Sequence, residues 1–167
     1  PDLGLDMLLE VGALGALLPE VHALVGFGDG EWRHKDVWKH TRQVVRQAVP
    51  RTEVRWAALL HDIGFYITAS KHHKHGQYLI ENVALSGFAD EEIKVLAQCV
   101  RYHRKATPKD NHEGFHQLSE ALRRKVRLLA SILRAILCTQ SFGTWQSEQM
   151  ARTPVRLLSW IVPLYSL

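Results

Sequence analysis

Four histidines and one aspartate, His40, His61, His75, His103 and Asp62, are the residues whose types and spacing suggest chemistry. Each histidine falls in phase with an apolar stripe at helical spacing. His40 stands three residues after Val37 and four before Val44. His61 follows Ala57 by four, in the run Ala57-Ala58-Leu59-Leu60. His75 leads Leu79 and Val83 by four and eight, and His103 follows Val100, Leu96 and Ile93 by three, seven and ten. One histidine on an apolar face is ordinarily a satisfied core polar group. Four on four helices, with Asp62 beside one of them, cost several kcal/mol to bury unless something pairs with them. A divalent cation does so, and neutral imidazoles with a carboxylate suit such ions. The expected metal ligands are therefore His40, His61, Asp62, His75 and His103, holding one or two ions of Mn, Fe, Mg, Zn or Ni.

Asp62 is the key residue of this set, and His61 with Asp62 forms the expected catalytic pair. A carboxylate in the last turn of a helix opposes the helix dipole, which favours cations there. A bound metal reverses that penalty. One carboxylate can also bridge two ions, the basis of two-metal hydrolysis. Divalent binding lowers the pKa of water towards ~7, so no separate strong base is needed.

Basic residues bracket two of the candidate ligands. Lys71 and Lys74 precede His75, and Arg101, Arg104 and Lys105 flank His103. Placed beside a metal, these five cations would hold phosphate oxygens and stabilise charge in a transition state. Cations are also common at helix C-termini, where the dipole favours them, so a purely local role stays open. Arg123, Arg124, Lys125 and Arg127 read instead as a solvated helix face. Trp32, Trp38 and Trp56 read as packing rather than as stacking platforms.

The elements that must position these groups read as helices, so the expected fold is an all-α bundle of six to eight helices. Residues 6–25 are apolar and break near Pro19 into two short helices. Helices are expected over 36–49, stopped by Pro50, over 53–63, ended by Gly64, and over 73–85, closed by Gly87. Asp90 is the expected N-cap of a helix running to about His103, with Glu91 and Glu92 in its first turn. A polar loop follows, and Ser119 caps a long helix through about Leu137. The division expected is a helical domain over 1–140 and a tail over 141–167.

Bulk properties set the class. The chain has 167 residues, net charge +4, 46% hydrophobic and 23% charged residues. That fits one globular domain with a real core and a mild preference for anionic partners. Cys99 and Cys138 are too few for a disulfide scaffold, so a reducing, cytoplasmic setting is expected. The chain opens on Asp2 and Asp6 without a basic signal region and reads as a piece of a longer protein. The apolar stretch 155–167 is shorter than the ~20 residues of a membrane span and contains Pro163.

His40 followed by His61-Asp62-Ile63-Gly64 resembles the signature of the HD superfamily of metal-dependent phosphohydrolases. His75-Gly76 and Tyr102-His103 look like the extra ligands of its dinuclear members. Residues 5–64, with Leu17-Leu18-Pro19-Glu20 and His34-Lys35-Asp36-Val37-Trp38, are similar to the HD region of bacterial tRNA nucleotidyltransferases. Residues 61–134 are similar to the C-terminal HD region of the exopolyphosphatase and guanosine-pentaphosphate phosphohydrolase family. The carriers are His72-His73-Lys74-His75, Tyr78-Leu79-Ile80, Gly87-Phe88 and Arg101-Tyr102-His103-Arg104-Lys105 with Pro108.

These likenesses imply a metal-dependent phosphohydrolase acting on a phosphoanhydride or nucleotide, with polyphosphate or a guanosine polyphosphate as ligand. The rival reading is a non-catalytic module that binds polyphosphate or RNA, or that mediates a homodimer. In exopolyphosphatase-like proteins the hydrolytic site lies in preceding actin-like domains, whose Gly-rich phosphate loop this sequence lacks. One departure stands out. HD proteins take a last metal ligand, an aspartate, from a late helix, where this chain has Leu137, or Gln140 one turn on. Residues 138–167 resemble nothing in the family.

Overall fold

The protein is described by a computed structural model over residues 1–27, 36–83, 85–104 and 106–145, the last six by their backbone alone. Among the described residues there are eight α-helices, one 3-10 turn and no strand. Helices α1 (Asp2–Glu10), α2 (Ala13–Leu17) and α3 (Pro19–His22) open the chain. They are followed by α4 (Val37–Gln47), α5 (Thr52–Leu60), the 3-10 turn Ile63–Tyr66, α6 (His72–Asn82), α7 (Asp90–Arg101) and α8 (Glu120–Trp145). The all-α bundle expected from periodicity is the fold observed.

The apolar stripes explain the packing. Val37, Trp38, Thr41, Val44 and Val45 form the buried face of α4. Val54, Ala57, Ala58, Leu59 and Leu60 are buried on α5, and Val95, Leu96, Cys99 and Val100 on α7. Val126, Leu129, Ala130 and Leu133 of α8 close the core over them. Ion pairs from Asp6 to Arg42 and from Asp2 to Arg46 tie α1 to α4 at the surface. No helix of the described residues is long and apolar enough to cross a membrane.

Several boundaries differ from the sequence reading, each for a local reason. The apolar N-terminal stretch makes three helices rather than two, because Gly12 takes a left-handed conformation (φ 73°) between α1 and α2. Helix α5 ends at Leu60, so Asp62 lies just beyond it, at the start of the 3-10 turn. Asp90 is the first residue of α7 and Ala89 its N-cap, whose backbone N–H donates to Glu92 (2.9 Å). Helix α8 continues through residue 140 to Trp145, past the expected end near Leu137.

Gly64 does more than terminate a helix. A Cβ there would overlap the carbonyl oxygen of His72 and come within 2.6 Å of the Gly76 nitrogen. A Cβ at Gly76 would in turn meet Val100 at 2.8 Å and Ile63 at 3.4 Å. Two glycines therefore let α6 lie directly on the 3-10 turn and against α7. That close crossing brings the start of α6 to the end of α5.

Candidate metal centre

Asp62 stands at the meeting point of four elements and is 2% exposed. Its Oδ2 lies 3.2 Å from His61 Nε2 and 3.8 Å from His40 Nε2. Its Oδ1 lies 3.4 Å from His72 Nε2 and 3.9 Å from His103 Nε2. The two groups, His40 with His61 and His72 with His103, thus share one carboxylate, an oxygen to each. In both groups the candidate ligand atoms lie within 4.8 Å of one another.

Three of the imidazoles are anchored in the same way. His61 Nδ1 lies 2.7 Å from the Ala58 carbonyl, His72 Nδ1 3.0 Å from that of Ala69, and His103 Nδ1 2.6 Å from that of Val100. A carbonyl only accepts, so in each ring Nδ1 carries the proton and donates it. With Nδ1 so committed, each ring presents Nε2 to Asp62. His72 and His103 bring these nitrogens to 3.3 Å from each other. His61 Nε2 is buried and has no hydrogen-bond partner among the described residues.

Lone pairs set this close to a carboxylate repel unless positive charge is shared among them. Protonating His72 and His103 is resisted. Burial holds His103 well below the usual histidine range, reinforced by His61 and outweighing the attraction of Asp62. Burial also lowers His72, again against the pull of Asp62. A divalent cation would meet the remaining demand, and the donor set of anchored imidazoles and a carboxylate could hold one.

The structure brings together His40, His61, Asp62 and His103 of the expected ligands. It does not bring His75 with them. His75 is half-buried outside both groups, and His72 takes its place. The correction is one of helical phase. The expected stripe on α6 ran through Leu79 and Val83, but Val83 lies past the helix end with extended backbone. The buried face holds Leu79 together with His72, Gly76 and Ile80, and does not include His75. The i, i+4, i+8 row of His72, Gly76 and Ile80, with glycine in the middle for close approach, was the available signal. Phe65 stacks on the His72 ring at 4.3 Å between centroids and fixes it further. His72→Ala is therefore expected to weaken divalent-ion binding by at least about tenfold, whereas His75→Ala leaves it within about twofold. Calorimetric titration of both variants with MnCl2 checks this, and equal losses would return His75 to the ligand set.

Of the expected phosphate-binding cations, Lys71, Lys74 and Arg104 are exposed and Arg101 is half-buried, its guanidinium 5.5 Å from the Tyr102 ring centre. Lys71 holds a left-handed backbone (φ 55°) at the N-cap of α6. Lys105 lies outside the described residues, as does Trp32. The α8 cations are paired: Arg127 with Asp110 (2.7 Å), Arg123 and Arg124 with Glu120, Lys125 with Glu53. A solvated face was expected of them; Arg124 is exposed, whereas Arg123, Lys125 and Arg127 are half-buried, and all four carry ion pairs. Trp38 is buried in the core and Trp56 packs edge-on against Phe88 at 5.0 Å, both as packing residues. Leu137 is half-buried against the core, and the side chain of Gln140 lies outside those described.

Residues 33–155 match the family model described as Ppx/GppA phosphatase, domain III. The match contains all five residues of the Asp62 cluster. It begins upstream of His40 and runs past Cys138, so it extends in both directions beyond the residues 61–134 expected from likeness alone. It also takes in part of the stretch 138–167 in which no family likeness was expected. Covering well over half of the sequence, it establishes that the chain belongs to the Ppx/GppA phosphatase domain III family.

Proposed function

We propose that the chain is a metal-dependent phosphohydrolase domain, acting on a phosphoanhydride or nucleotide at Asp62. The observation that carries this reading is the convergence of three backbone-anchored imidazole lone pairs on one buried carboxylate. His61, His72 and His103 would hold one or two divalent ions with Asp62 and His40. When bound, such an ion supplies Lewis acidity to a phosphoryl oxygen and acidifies water at neutral pH. The chain's own part is orientation. The carbonyls of Ala58, Ala69 and Val100 fix the ring orientations, and burial favours the neutral form of His72 and His103. The HD-superfamily likeness of His40 and His61-Asp62-Ile63-Gly64 supports the same chemistry, and membership of a phosphatase family supports the substrate class.

A second reading is favoured by the family description itself, which names a third domain. The chain would then be a non-catalytic module that binds a phosphorylated ligand within a larger phosphatase. Leu137, apolar at the position of the expected late aspartate, is consistent with it.

Metal analysis of the purified chain, coupled to phosphate release from polyphosphate, guanosine tetraphosphate and a simple nucleoside triphosphate, separates the two. Hydrolysis supports the first reading if it tracks bound Mn or Fe and is abolished by chelation. Stoichiometric metal without phosphate release from any substrate would assign the chain to the second. Absence of tight divalent binding would remove the metal from both.

A further inference from the structure

Helix α7 stops where its sequence gives no reason to stop. Arg101-Tyr102-His103-Arg104-Lys105-Ala106 holds no glycine, asparagine or proline, the residues that commonly end a helix. Yet Arg101 is the last helical residue, and Tyr102 leaves the helix with φ −111° and ψ 16°. That turn sets the candidate ligand that follows. His103 donates to the Val100 carbonyl both from its backbone N–H (3.4 Å) and from Nδ1 (2.6 Å). The hold on Tyr102 comes from residues 106–119, which lie across α7 as a strap. A Cβ on Gly114 would stand 2.8 Å from Gln98 Nε2, so the strap rests directly on the helix. Phe115 is fully buried and edge-on to the Tyr102 ring, with 6.0 Å between centroids. His112 stacks on the same ring at 5.6 Å, and its Nδ1 lies 2.8 Å from the Tyr102 hydroxyl. The Lys109 backbone N–H, which can only donate, points at that nitrogen from 3.4 Å. Nδ1 is therefore the acceptor, and the Tyr102 hydroxyl donates to it.

We infer that His112, acting through its hydrogen bond with Tyr102, is a positioning residue for His103. The inference rests on the metal centre proposed at Asp62 and adds to it a residue outside both ligand groups. Tyr102 and His103 are consecutive, so any rotation of the Tyr102 backbone moves the His103 ring directly. Released from the strap, the segment after Arg101 is free to continue the helix, as its arginines, lysine and alanine favour. A continued helix returns the His103 N–H to the Cys99 carbonyl and changes the direction in which the ring leaves the backbone. The 3.9 Å approach of His103 Nε2 to Asp62 Oδ1 depends on that direction. Packing against Phe115 sets how deep Tyr102 sits. The O–H···N bond is directional and fixes its twist as well.

The test uses the full chain with four variants and two readouts. Two-bond proton–nitrogen NMR of the metal-free chain reports the His103 ring and its Nδ1–H, and calorimetry with MnCl2 reports ion binding. Tyr102→Phe keeps the ring and removes only the hydroxyl. Tyr102→Phe and His112→Leu are both expected to shift or broaden the His103 ring signals and to weaken Mn binding about tenfold, the lower end for groups outside the ligand shell. His112→Asn, whose side-chain oxygen accepts in place of Nδ1, should bind Mn within about threefold of the parent. Asp110→Asn unties the strap from Arg127 of α8. It should cost a few degrees of melting temperature, as His112→Leu does, yet keep the ring signals and hold affinity within about twofold. Parental ring signals and affinity in Tyr102→Phe and His112→Leu would overturn the positioning role. So would His112→Asn as weak as His112→Leu, or an equal loss in Asp110→Asn. A parent chain that binds no Mn, but whose His103 signals move in Tyr102→Phe and not in Asp110→Asn, would sink the metal reading and leave the positioning of His103 standing.

Discussion

Asp62→Asn is expected to lower divalent-ion affinity at least about a hundredfold. Loss of an outer partner of a metal ligand typically costs 10–100-fold, and Asp62 supplies the negative charge common to both ligand groups. The metal-free chain should tolerate the change, because the substitution also removes a buried charge from the cluster. Its melting temperature without metal should stay within a few degrees of the parent, while the rise on adding MnCl2 disappears. His40→Ala provides the contrast, since it touches the Oδ2 group alone and leaves Asp62, His72 and His103 in place. Titration calorimetry of the two variants decides the matter. Parental affinity in Asp62→Asn would mean that the convergence around this carboxylate holds no ion.

Gly64→Ala should be the most damaging glycine-to-alanine change among the described glycines. Its Cβ would overlap the His72 carbonyl oxygen and lie 2.6 Å from the Gly76 nitrogen and 2.7 Å from the His72 carbonyl carbon. All three are backbone atoms, so no side chain can swing aside. The 3-10 turn and α6 must separate, at a cost of at least ~3 kcal/mol. For a chain of this size that corresponds to a fall in melting temperature of roughly 6–12 °C. The same displacement carries His72 away from Asp62, so metal affinity should fall with stability. Gly4→Ala is the control. Nothing lies within 4 Å of its Cβ, and within α1 alanine is the better helix former by up to ~1 kcal/mol. Urea unfolding of the two variants tests this, and equal stability would show that α6 does not lie on Gly64.

Much of the site was legible because burial leaves a periodic trace. His40, His61 and His103 share a phase with the apolar residues of their helices, and polar side chains on such a face need a partner. Asp62 was legible for the opposite reason, as a carboxylate placed against the dipole near a helix end. His75 shows where the method stops. On α6 the choice between His72 and His75 is a rotation of three residues, and a short helix with Val83 beyond its end does not settle it from spacing alone. Gly76 and Gly64 settle it in space, because only the face carrying small residues can approach the 3-10 turn.

The sequence by itself determined the all-helical class, the order of the main helices and most residues of the cluster, since each follows from local periodicity and the cost of burying polar groups. Tertiary structure decided three further things. It put one oxygen of Asp62 towards His40 and His61 and the other towards His72 and His103, an arrangement that depends on how four elements cross. It gave the cations of α8 ion pairs that depend on carboxylates distant in sequence, such as Asp110 and Glu53. And it exchanged His75 for His72, because side-chain phase on a short helix is set by the partner it packs against.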